Sequence, residues 1–131
     1  MELDHLGVAV PRLGEALARW APILGEPEAP PEEVGSQGVR VVFLTAGSAH
    51  VELLEPTSPE SPVGRFLERR GEGLHHVAFR VPSVDAALAE IAGRGERVVD
   101  RVGRPGSRGR RVGFAHPSAF GGVLVEFVEA V

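Results

Sequence analysis

The chain has no cysteine, no lysine, no tyrosine and a single tryptophan among its 131 residues. Without cysteine it can form no disulfide, offer no thiolate to a metal and use no thiol nucleophile. Without lysine, all 14 basic residues being arginine, it can form no Schiff base of its own. With so few aromatics it is poorly equipped to line a groove for a bulky planar ligand. Positive charge is scarce as well: the formal net charge is −4, and the arginines do not line one helix, so the footprint of a nucleic-acid binder is missing. No apolar run approaches the roughly 20 residues that span a bilayer. The opening "MELDHLGVAVPRL" has no basic lead before an apolar region. The expectation is a cytoplasmic protein with no nucleic-acid and no membrane partner. Its 43% hydrophobic content suits one domain over residues 1–131 that buries roughly two-thirds of its unfolded surface.

What the chain does have is a duplication. "DHLGVAV" (residues 4–10) and "HHVAFRV" (residues 75–81) follow one plan, each with a His in second place and a proline next. At an offset of 71, matches include His5/His76, Val10/Val81, Ala16/Ala87, Leu17/Leu88, Gly35/Gly106, Gly38/Gly109, Arg40/Arg111, Val41/Val112 and Phe43/Phe114. Beyond Phe43 the offset becomes 74, pairing Val51/Val125, Glu52/Glu126 and Glu55/Glu129. Each copy reads β-α-β-β-β. An alternating strand (Leu3 to Val10; Leu74 to Val81) precedes a helix. In the first copy Leu13, Ala16, Leu17, Trp20 and Leu24 recur at helical spacing before Gly25. In the second, Ser83 caps a helix through Val84, Leu88 and Ile91 that ends at Gly93 or Gly95. Irregular segments follow, with room for a short edge strand, and then two strands close each copy: Val39 to Leu44 with Ala49 to Glu55, and Arg111 to Ala115 with Val123 to Val128. Between the copies Ser61, Pro62 and Gly71 frame a linker helix. The predicted class is α+β: two tandem modules, about 1–57 and 73–131, joined by a helix over about 61–71 and paired into a cupped mixed sheet with helices on its outer face.

Strand alternation then points to chemistry. Leu6, Val8 and Val10 share one face of the first strand, and His5, Gly7 and Ala9 the other; Val77, Phe79 and Val81 oppose His76, Ala78 and Arg80. Glu52 and Glu126 likewise oppose the apolar rows Val51/Leu53 and Val125/Phe127. If the modules pair about a pseudo-twofold axis, His5, Glu52, His76 and Glu126 meet around one divalent cation. Two imidazoles and two carboxylates suit a borderline or hard ion, and four ligands on an octahedral centre leave two positions for substrate. His50 and His75 break the repeat and carry no such argument. His116, in "FAHPSAFGG", fits either a turn or a pocket.

These residues resemble the vicinal oxygen chelate superfamily, which includes glyoxalase I, extradiol dioxygenases, antibiotic-resistance proteins and methylmalonyl-CoA epimerases. Within it "DHLGVAVPRL", "VELLEP", "SPVGRFLERRGEGLHHVAFRV" and "GGVLVEFVE" are most similar to the epimerases, over nearly the full length. The resemblance implies a metal-dependent epimerase of propionate metabolism that interconverts (R)- and (S)-methylmalonyl-CoA. It would do so by C2 proton abstraction through a metal-stabilised enolate, with Co²⁺ first among candidate ions and Mn²⁺, Ni²⁺, Zn²⁺ or Mg²⁺ as alternatives. Glu126 is then the base and Glu52 the acid on the opposite face. Some epimerases carry Gln in place of Glu52, and some carry a Glu where this chain has Val41. Arg104, Arg108 and Arg111, in the arginine-rich "DRVGRPGSRGRR", together with His116, are the expected contacts to an acyl-CoA. The rivals are a glyoxalase I-type lactoylglutathione lyase and a small-molecule binding protein of the antibiotic-resistance kind. Open sheet edges favour a homodimer.

Overall fold

Strand β1 (Glu2–Ala9) and strand β5 (Gly73–Val81) begin the two copies of the repeat, as the pattern predicts. The structure, a computed structural model, describes residues 1–130; Val131, the last residue of the expected second module, lies outside them. Eight strands and three α-helices make a mixed, α+β fold among the described residues. The chain divides into two compact units, His5–His75 and Met1–Asp4 together with the residues from His76 onward.

In the first unit β1 is followed by α1 (Leu13–Leu24), β2 (Glu32–Val34), β3 (Val39–Ala46), β4 (Ala49–Pro56) and α2 (Pro62–Arg70). The strand order is β2-β3-β4-β1, with β1 and β4 parallel and the other pairs antiparallel. The bulky row of β1 takes the helix, as alternation requires: Leu13, Ala16, Leu17, Trp20 and Leu24 pack on Val8, Val10, Val42, Leu44, Val51 and Leu53. Helix α2, framed by Ser61 and Gly71 as expected, does more than link. Its Val63, Phe66 and Leu67 cover Ala9, Val39, Val41, Phe43 and Leu54 on the opposite face. Val41 is therefore core, 1% exposed.

In the second unit the order is β5-β8-β7-β6, with α3 (Val84–Gly93), β6 (Arg104–Pro105), β7 (Arg111–Ala115) and β8 (Val125–Glu129). Strands β5 and β8 are parallel, and β8 pairs antiparallel with β7. Val84, Leu88 and Ile91 pack on Phe79, Val81, Ala115, Val125 and Phe127. Gly113 is what lets α3 approach: a Cβ there would lie 2.7 Å from Leu88 Cδ1 and 3.0 Å from Val84 Cγ1. Strand β8 starts two residues later than predicted. Gly121 and Gly122 turn through positive φ (65° and 103°), and the Val123 N–H donates to the Phe120 carbonyl instead of a ladder.

The acids that end each copy have a structural task. Ser61 and Ser83 cap α2 and α3 with their own hydroxyls, whereas Arg12 at the start of α1 makes no side-chain cap. Glu55 supplies it, accepting from Leu13 N at 3.0 Å, and Glu129 accepts from Val84 N at 2.9 Å in the same way. A carboxylate at a helix N-terminus satisfies an orphan N–H and meets the positive end of the dipole. Glu55→Ala and Glu129→Ala should each cost about 1 kcal/mol and add when combined, as read from urea unfolding of the three variants.

Candidate metal centre

Each unit carries one His–Glu pair, built by the same register. In the first, Gly7 of β1 lies opposite Glu52 of β4, and Phe43 of β3 lies opposite Glu52 from the other side. His5, two residues before Gly7, shares that face. His5 Nε2 sits 3.2 Å from Glu52 Oε1, and Phe43 meets the His5 ring edge-on, 5.4 Å between centroids at 88°. In the second unit Ala78 lies opposite Glu126, with Phe114 opposite from β7. His76 Nε2 sits 3.1 Å from Glu126 Oε1, and the His76 and Phe114 rings are 5.6 Å apart at 84°. His5 and His76 are 2% exposed, Glu52 4% and Glu126 3%. The two phenylalanines appear in the repeat as Phe43/Phe114, yet only the register shows that they hold the imidazoles upright.

Imidazole and carboxylate together accept any borderline or hard divalent ion. Two donor atoms each about 2.1 Å from one ion stand about 3.0 Å apart at a right angle and about 3.4 Å apart at the tetrahedral angle. The Nε2–Oε1 separations of 3.2 and 3.1 Å fall in that interval, so each pair fits as one edge of a coordination polyhedron. Together the four residues are a His/Glu group that could hold a metal ion.

The structure disperses the arginine-rich segment. Arg110 is buried and spent: its Nη1 and Nη2 donate to Asp4 Oδ1 and Oδ2 at 2.7 and 2.6 Å. Arg111 lies on the α3 side of β7 and its Nη2 donates to both oxygens of Asp85, at 2.8 and 2.9 Å. Arg108 stands at the tip of the β6–β7 hairpin with φ +59°, in a turn closed by Arg110 N donating to Ser107 O at 3.1 Å. Arg104 donates through Nε to Asp100 at 3.3 Å and lies over the Phe114 ring, 5.5 Å from its centroid. His116 is a turn residue: its Nδ1 accepts from Ser118 N at 3.0 Å. His50, unassigned in the sequence, is the ladder partner of His5 and meets Phe43 edge-on at 6.0 Å. His75 packs on Phe66 of α2 at 4.9 Å.

Asp85 gives this region an acid limit. The Gly103 N–H, and then the Arg111 guanidinium, hold its carboxyl below the usual value of 3.8. Because the folded value is the lower one, the contribution is complete above the unfolded value and is lost as pH falls through the depressed one. Thermal melts of the wild type and Asp85→Asn should therefore differ near neutral pH and converge as the pH drops below 3.8.

This chain belongs to the glyoxalase/bleomycin resistance protein/dioxygenase superfamily, whose family model matches residues 4–114. Within the superfamily its similarity is to the methylmalonyl-CoA epimerases. It is 36% identical to the mitochondrial methylmalonyl-CoA epimerase of Bos taurus, over 98% of this chain and 74% of that protein. It is 37% identical to the ethylmalonyl-CoA/methylmalonyl-CoA epimerase of Cereibacter sphaeroides, over 95% of this chain and 94% of that protein. The structure of Streptomyces coelicolor methylmalonyl-CoA epimerase in complex with 2-nitronate-propionyl-CoA superposes with a TM-score of 0.93 at 36% identity, covering 100% of this chain and 95% of that one.

Proposed function

We propose that this chain is a metal-dependent methylmalonyl-CoA epimerase, in which His5, Glu52, His76 and Glu126 hold one divalent ion between them. The observation that carries the reading is the repetition: two buried His–Glu pairs of matching separation, each built on a Gly or Ala opposite the Glu and each backed by a Phe. Epimerase relatives that match almost the whole chain support the reaction. When bound, the ion supplies positive charge that lowers the cost of negative charge growing on the substrate, a contribution of several kcal/mol.

The chain's own groups then handle the proton. Glu126 takes the C2 proton of the thioester, leaving the electron pair delocalised onto the acyl oxygen. Glu52 returns a proton to C2 from the opposite face, so the centre inverts and the charge balances. Burial of both carboxylates keeps bulk water from competing for that proton. Phe43 and Phe114 fix the imidazoles, and Val41 offers no base. Candidate ions are Co²⁺, then Mn²⁺, Ni²⁺, Zn²⁺ and Mg²⁺. The same reading makes the protein a cytoplasmic homodimer serving propionate metabolism; no helix of the described residues is long and apolar enough to cross a membrane.

The glyoxalase and antibiotic-binding readings are not favoured, since the named relatives are epimerases. The test is to incubate the metal-loaded protein with methylmalonyl-CoA in D₂O and follow the C2 proton by NMR, with the glutathione hemithioacetal of methylglyoxal in parallel. Exchange at C2 is expected. Exchange only in the hemithioacetal would reassign the protein to the glyoxalases.

A further inference from the structure

The second unit sorts its arginines by sheet face. Phe79, Val81, Gly113, Ala115, Val125 and Phe127 face α3. The opposite face carries His76, Ala78, Val112, Phe114, Glu126 and Val128, of which Ala78, Val112 and Val128 pack together. Arg104 pairs with Val112 in the β6–β7 ladder and so belongs to the His76–Glu126 face. Arg111 belongs to the α3 face, and Arg110 is only 7% exposed with both terminal nitrogens on Asp4.

Three contacts fix Arg104 beside the metal-ligand pair. Its guanidinium lies over the ring of Phe114, and that ring meets His76 edge-on. Asp100 holds the Nε edge, and the same carboxylate accepts from Phe114 N at 2.9 Å, so one anchor sets both ring and cation. The side chain is 31% exposed, against 6% for Arg110, and remains within reach of a bound molecule. A guanidinium held by its edge and set over a ring is preorganised for a planar carboxylate.

We propose that Arg104 is the specificity-determining residue that selects acyl thioesters bearing a carboxylate on C2, and that it does not serve the phosphates of the carrier. The inference rests on the epimerase reading and adds to it which part of the substrate is recognised, and by what. A carboxylate at Arg104 would put C2 on the His76–Glu126 side and set the C2–H toward Glu126. A simple acyl thioester, bringing no carboxylate to add to Asp100, would gain none of that interaction and so would be disfavoured.

The test separates carboxylate recognition from carrier recognition by using malonyl-CoA and propionyl-CoA, which share the carrier and differ in the carboxylate. Isothermal titration of the metal-loaded wild type should show malonyl-CoA binding at least about tenfold more tightly, the range of a hydrogen bond to a charged group. In Arg104→Gln that ratio should fall toward one, with KM for methylmalonyl-CoA raised by a similar factor and kcat changed less. Arg104→Lys, which keeps the charge and loses the fork, should fall between, and serves if the Gln variant does not fold by circular dichroism. Arg101→Gln should leave the ratio as in the wild type. A ratio unchanged in both Arg104 variants, in a wild type that exchanges the C2 proton, overturns this inference alone. A wild type that exchanges no C2 proton overturns the epimerase reading and this inference with it.

Discussion

His76→Ala should abolish both metal retention and turnover. On the proposed site it removes one of four donors and leaves Glu126 without the imidazole 3.1 Å away. Bound metal, measured by plasma mass spectrometry after gel filtration, should fall from about one ion per chain to near zero. C2 exchange in D₂O should fall at least about a thousandfold, the rate equivalent of roughly 4 kcal/mol of lost charge stabilisation. A binding readout independent of catalysis is the melting temperature: added Co²⁺ should raise it in the wild type by ligand linkage and leave it unmoved in the variant. His5→Ala should behave alike, because the two pairs are built alike. A melt that rises equally in both proteins would mean the ion sits elsewhere and that the His–Glu pairs are ion pairs only.

The largest loss of stability should come from Arg110→Met. Asp4 is 3% exposed and Arg110 7%, and the two are joined by a bidentate pair at 2.7 and 2.6 Å. Truncating one partner leaves a buried charge, which typically costs 3–5 kcal/mol. Arg80 also donates to Asp4 Oδ1, at 3.0 Å, so the expected loss is about 3 kcal/mol, the lower end of that range. That is a large share of the roughly 5–15 kcal/mol that holds a domain folded, and the melting temperature should drop by about 10 °C. The double variant Asp4→Leu with Arg110→Met removes both charges and should regain most of the loss, because a buried pair is worth little over apolar side chains of similar volume. A double variant as unstable as the single one would show that the pair itself, and not its breaking, carries the energy.

The pair also explains how an arginine-rich segment misleads. Arg104, Arg108, Arg110 and Arg111 lie within eight residues and share one side-chain chemistry, so composition groups them as one anion-binding loop. Folding gives them four environments: a ring and an aspartate for Arg104, a hairpin tip for Arg108, a buried carboxylate for Arg110 and the first turn of α3 for Arg111. For Arg110 and Arg111 the distinguishing partners are distant in sequence, Asp4 being 106 residues from Arg110 and Asp85 26 from Arg111.

Much of the candidate site was nevertheless readable. A strand's side chains alternate with a period that tolerates no slip, so the face carrying His5 could be told from the face carrying Leu6, Val8 and Val10 without coordinates. Duplication then supplied what a single strand cannot, a second instance of the same face with the same His and the same Glu. The caps at Ser61 and Ser83 were legible because capping is settled within four residues. The same locality concealed Glu55 and Glu129: their repetition was visible, but the N–H groups they cap belong to Leu13 and Val84, 42 and 45 residues away.

The chain alone thus determined the two modules, the helices that close them and which strand faces carry the two His–Glu pairs, because these follow from backbone periods of two and 3.6 and from short-range hydrogen bonds. The tertiary structure decided the rest: that α2 covers Val41 and makes it core, that Phe43 and Phe114 steady the imidazoles, and that Arg104 alone of its cluster both shares the face of His76 and Glu126 and stays accessible. Those outcomes depend on ladder register and on partners tens of residues away, which local pattern does not encode.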